Sequence, residues 1–138
     1  MSYDRTTLER LARERLAEAT LLLAGGHPSG AYYLSGYALE CGLKAIIARQ
    51  FRADEIPELK RVTKIYVHDL AKLMEIAGVE AALDEAIAKD AALNARWTVA
   101  KRWSEQSRYE VWTDEQASAI LDAIGGDEGL LEWLAKRF

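Results

Sequence analysis

The sequence has one cysteine, two prolines, two histidines and few β-branched residues, and each shortage closes off a class of answer. Cys41 has no partner in the chain, so an intramolecular disulfide is excluded and the reducing cytoplasm is the expected setting. The N-terminus is charged and carries no apolar signal core, so secretion by the usual route is not expected. Pro28 and Pro57 leave long uninterrupted segments. Ala, Leu, Glu, Arg and Lys dominate these, with apolar residues at helical rather than alternating spacing, which predicts an all-α fold without strands. His27 and His68 lie far apart, and no Cys/His or H-E-x-x-H spacing exists, so no metal or cofactor is expected. Excess positive charge is missing too. A net charge of -4 and a pI near 5.3 exclude nucleic-acid binding through overall charge alone, though not through a local basic patch.

The one long apolar run, residues 30–48, approaches the length of a membrane span, but Glu40 and Lys44 sit well inside it. It reads as a core helix of a soluble protein with no membrane contact. Ala31, Leu34, Ser35, Ala38, Cys41, Gly42 and Ala45 form a small-residue face against which another helix can pack closely. Tyr32, Gly36, Leu39, Leu43, Ile46 and Ile47 form a second apolar face. What remains is a stripe of Tyr33, Tyr37, Glu40 and Lys44 at i, i+4, i+7 and i+11. Two phenols, a carboxylate and an ammonium on an otherwise apolar rod mark where function is expected to run.

At 138 residues the chain fits one domain, 1–138, with a sizeable core. Thr6 with Glu9 predicts a capping box for a first helix that Gly25 and Gly26 end. Ser29 is the expected cap of the second helix, and the short link between the two predicts an antiparallel hairpin. Residues 51–67 lack sustained periodicity and read as a loop with a short helical turn. Asp69 caps a third helix that Gly78 stops, and a fourth begins near Val79, with Asp90 marking a bend or a second segment. Thr113 with Gln116 caps another helix, and Asp127 is the expected cap of a short C-terminal one. The expected architecture is an up-down antiparallel bundle of four or five helices plus that short helix, with no internal repeat.

The order of A-Y-Y-L-x-x-Y-A-L-E-x-x-L-K-A in the second helix, His68-Asp69-Leu70 opening the third, then Trp103 and Arg108-Tyr109, resembles the HEPN domain family. The resemblance runs from about Leu8 to Leu134. It implies a helical bundle, often a homodimer, binding a nucleotide or RNA. It also implies a minimal nucleotidyltransferase as partner in a toxin-antitoxin or defence module. Many relatives are RNases that need no metal, using an Arg and a His four to six residues apart on a late helix. This chain has no histidine after His68, so Arg96, Arg102 and Arg108 lack that partner. Arg61 and His68 keep the count, but they straddle a loop and a helix start.

The residues themselves leave three readings open. In the first, Tyr33, Tyr37, Glu40, Lys44, His68, Asp69, Arg102, Arg108 and Tyr109 surround one polar site, with cations facing phosphates and aromatic rings stacking on a base. In the second, His68 with Arg61 or Arg108 cleaves RNA without metal, the His moving the 2′-hydroxyl proton and the Arg stabilising the transition state. In the third, small-residue faces and aromatics build a dimer or hold a partner protein. Plainer roles compete with each: His68 orienting the start of a helix, tryptophans in the core, and arginines pairing with Glu105 and Glu110. A Glu40–Lys44 pair at i, i+4 on an exposed helix would contribute only about 0.3–0.5 kcal/mol, but a buried Glu40 needs a partner, and Arg108 or His68 can reach it across the bundle.

Overall fold

The first helix, α1 (Arg5–Ala24), starts at Asp4, whose carboxylate accepts the Thr7 N–H at 2.8 Å. Thr6 lies inside the helix. The acidic side chain two residues upstream takes the cap position, which strips Thr6 and Glu9 of their expected capping role. Gly26 (φ +85°) supplies the left-handed residue that reverses the chain after Gly25. Pro28, with its φ preset and no N–H to satisfy, is the first residue of α2 (Pro28–Arg49). Ser29 is therefore not a cap; its hydroxyl accepts the Trp112 N–H at 2.9 Å from the far end of the sequence.

The computed structural model describes residues 4–138, so residues 1–3 of the expected domain lie outside the described residues, and all regular structure among those described is helical. Beyond α2 come α3 (Leu59–Lys64), α4 (Leu70–Ile76), α5 (Glu80–Lys89), α6 (Ala91–Ala100), a 3-10 turn (Glu105–Tyr109), α7 (Asp114–Gly125) and α8 (Leu130–Ala135). The segments outnumber the four or five helices expected. Gly78 (φ +76°) separates α4 from α5, and Asp90 ends α5 while accepting the Ala92 and Leu93 N–H groups that open α6. Asp69 caps α4 through the Lys72 N–H, and Thr113 and Gln116 form the reciprocal box of α7. Gly129, not Asp127, precedes α8, because the chain after Gly126 needs three more residues before it turns back into a helix.

Helix α2 is the axis of the fold. It packs against α1, α4, α7, α8 and the 3-10 turn, so Leu39, Leu43 and Ile47 are buried from every side. Each such side chain contributes about 1.5–3 kcal/mol over leaving it in water. The hydrophobic spacing of the sequence is thus satisfied by neighbours from both ends of the chain. Two glycines allow the closest approaches. A Cβ at Gly42 would lie 2.9 Å from Leu131 Cδ1 of α8, and one at Gly36 would overlap Cγ, Cδ1 and Cδ2 of the Trp103 indole. Among the described residues no helix is long and apolar enough to cross a membrane.

Candidate functional site

Glu40 is only 3 % exposed, yet both of its carboxylate oxygens are engaged. Oε2 accepts from Lys44 Nζ at 3.2 Å, one helical turn on, and Oε1 lies 3.0 Å from His68 Nδ1. The other ring nitrogen, Nε2, lies 2.7 Å from Glu105 Oε2 in the 3-10 turn, and Glu105 Oε1 in turn accepts from Arg108 Nη2 at 3.4 Å. The result is a chain of linked polar side chains, Lys44–Glu40–His68–Glu105–Arg108. With carboxylates on both edges of its ring, His68 meets both partners only when both nitrogens donate. The imidazole separates Glu40 from Glu105, so the three side chains do not converge on a common point. Among the described residues no group of His, Cys, Asp and Glu is arranged to hold a metal ion.

This network opens into a groove of about 660 Å³ between the start of α1, α2 and the segment that follows α2. Leu8, Leu11, Ile47, Phe51 and Ile65 give it an apolar floor, while Tyr37, Glu40, Lys44, Tyr66 and His68 add polar atoms and two phenol rings. That size and mixture suit a small organic ligand held by a few polar contacts. Lys44 keeps about a fifth of its side chain in solvent and His68 nearly half, so both can meet a ligand from within the network.

Aromatic packing positions the far half of the chain. Trp103 lies on Gly36, stacks with Tyr33 at 5.9 Å between ring centres, and donates its indole N–H to the Tyr33 carbonyl at 3.1 Å. Ser104 and Ser107 cap the turn reciprocally, and Trp112 donates its indole N–H to the Ser107 carbonyl. Glu105 is therefore presented to His68 by a turn clamped at both ends. Tyr37 meets Tyr33 edge-on at 6.1 Å, continuing the stripe from the groove toward Arg108, whose guanidinium lies over the Tyr109 ring at 4.9 Å.

Of the residues singled out in the sequence, Tyr37, Glu40, Lys44 and His68 line the groove, and Tyr33, Arg108 and Tyr109 continue from it along the surface. Asp69 is spent on capping α4. Arg102, exposed just after α6, neighbours Tyr32 rather than the groove. Arg61 does not join His68: it binds the Gln50 side-chain oxygen, lies over Phe51, and lines a different hollow. Two residues with central positions went unmarked as site candidates. Glu105 is legible only as an ion-pair partner three residues before Arg108, and Tyr66 only as the residue two before His68, in the turn after α3.

Cys41 borders the groove but is chemically silent. Burial, reinforced by the Glu40 carboxylate, pushes its thiol up to about 12 from an ordinary 9.0. Iodoacetamide at pH 8 is expected to label native Cys41 only as fast as the fold opens, and denaturant should release ordinary thiol reactivity. Burial raises the Tyr37 and Tyr32 phenols as well. All three groups resist ionisation in the folded state, so their contribution is full below the unfolded values near 9 to 10 and is lost as pH climbs toward 12. Melting temperatures should accordingly fall from about pH 9 upward. Rapid labelling at pH 8 would remove the basis for this.

Compared with known proteins, the chain matches no family model, no curated protein and no solved structure.

Proposed function

We propose that this is a HEPN-like helical protein that binds a nucleotide or single-stranded RNA in the α1–α2 groove without cleaving it. The observation that carries the reading is the Lys44–Glu40–His68 network opening into a 660 Å³ groove flanked by the Tyr37 and Tyr66 rings. The Lys44 ammonium for phosphate, beside phenols for a base, makes the minimum a nucleotide needs. The non-catalytic part rests on His68. Both its nitrogens are held by carboxylates, and Arg61 points its hydrogen bond elsewhere, so neither a free general base nor an adjacent cation pair is assembled. The resemblance to HEPN proteins supplies the wider setting: a cytoplasmic toxin-antitoxin or defence module, a nucleotidyltransferase partner, and a homodimer. Exposed Tyr109 and Val111, beside Arg108, give a dimer or partner an apolar contact.

The test is binding of uridine monophosphate and of a short single-stranded RNA in chelating buffer. Both should bind, and the RNA should stay intact. Tyr66→Ala, at an exposed ring that bears little on the fold, should weaken both about tenfold through loss of base stacking. No binding of either ligand sinks the reading, and RNA cleavage that His68→Ala abolishes replaces it with the endoribonuclease.

A further inference from the structure

A second hollow, of about 610 Å³, lies on the other side of the segment that walls the groove. It gathers Lys60, Arg61, Lys64 and Lys72 against only Glu58 and Glu75, in a chain whose net charge is -4. None of the four cations forms an ion pair with a carboxylate among the described residues, although seven other Lys or Arg side chains do. Lys60, Lys64 and Lys72 are exposed. Unneutralised charge so concentrated on an acidic protein repels itself, and an anion relieves that repulsion.

The wall between the hollows gives the anion a shape. Residues 65–68 are not helical and divide the two hollows: Ile65, Tyr66 and His68 line the groove, and Val67 lines the basic hollow. Tyr66, 64 % exposed, lines the groove side of this ridge. A strand crossing it places phosphates among the lysines and a base against the tyrosine. We infer that the α3–α4 hollow is the phosphate track for single-stranded RNA whose terminal base enters the groove. This rests on the nucleotide-binding reading above and extends it from a mononucleotide to a strand. An acidic peptide would satisfy the lysines but would leave the aromatic groove unused.

The experiment compares the wild type with Lys60→Gln/Lys64→Gln/Lys72→Gln, using a decauridylate, uridine monophosphate and a polyglutamate of equal charge. Each neutralised phosphate contributes a salt slope of about 0.7 for single strands, so the slope for the RNA should fall by about 2 in the triple variant. Its low-salt affinity should drop on the order of tenfold or more, while binding of the monophosphate stays unchanged. Glu75→Gln, removing a carboxylate from the same hollow, should strengthen RNA binding. Retained monophosphate binding with an unaltered RNA slope overturns the track and spares the groove. Loss of monophosphate binding alone in the wild type overturns the groove and spares the track. RNA that does not bind, or polyglutamate that competes equally well, overturns the track.

Discussion

Gly36→Ala should cost the protein about 3 kcal/mol or more and lower its melting temperature by roughly 10 °C, an unusual result for adding one methyl group. The added carbon would overlap three atoms of the Trp103 indole, which is 3 % exposed and packed within the core cluster. A flexible side-chain tip could move aside; a ring fixed by stacking on Tyr33 and by a hydrogen bond to its carbonyl cannot do so without losing both. The change should also reach the groove. Trp103 begins the segment that presents Glu105 to His68, so near-UV circular dichroism should lose tryptophan signal and nucleotide affinity should fall together. Gly36→Ala combined with Trp103→Leu, which makes room, should regain part of the stability but not the stacking on Tyr33. A Gly36→Ala protein that melts like the wild type would mean that Trp103 does not occupy this seat.

Stripping Glu40 of both partners, by Lys44→Met with His68→Leu, should cost about 3–5 kcal/mol, the usual penalty for an uncompensated buried charge. Its oxygens would be left facing an apolar floor with neither donor. Adding Glu40→Met to that pair should restore most of the loss, because an apolar core of similar volume needs no partner. The triple variant would fold while binding no nucleotide, which separates the network's contribution to stability from its contribution to the site. Equal stability of the double variant and the wild type would show that water already reaches Glu40. Single variants are less informative, since either remaining donor still satisfies one oxygen.

Local chemistry was readable in the sequence wherever one side chain had one candidate role. Asp69 and the Thr113–Gln116 box sit where their spacing places them, because an N-cap bond spans at most three residues, whereas Asp90, legible only as a bend or the start of a second segment, caps α6. Misreadings arose where several oxygens competed. Asp4 lies two residues from Thr6, and Ser29 is claimed by Trp112 from across the fold. The heavy burial of α2 follows directly from its periodicity, and with it the need of Glu40 for a partner. Which partner answers is a tertiary matter. His68 reaches Glu40 and Arg108 does not, because the 3-10 turn interposes Glu105 between them. No spacing rule joins residues 40, 68 and 105. The separation of Arg61 from His68 is likewise invisible in the chain, since it depends on α3 turning the arginine toward Gln50.

The central place of α2 has a consequence for the order in which the protein is built. The α1–α2 hairpin is complete once residue 49 has been synthesised, and its contacts are local enough to form at once. The helices that close over its remaining faces, α7 and α8, come from the last part of the chain and arrive seconds later at about 5–20 residues per second. In that interval the bare faces of α2, including the Gly42 side that α8 will cover, are exposed to any apolar surface nearby. A ribosome stalled before α7 therefore displays a half-sheathed helix, a natural substrate for chaperones and a seed for aggregation. The residue pattern that makes α2 the axis of the finished fold also makes it the point of greatest exposure while the chain is still unfinished.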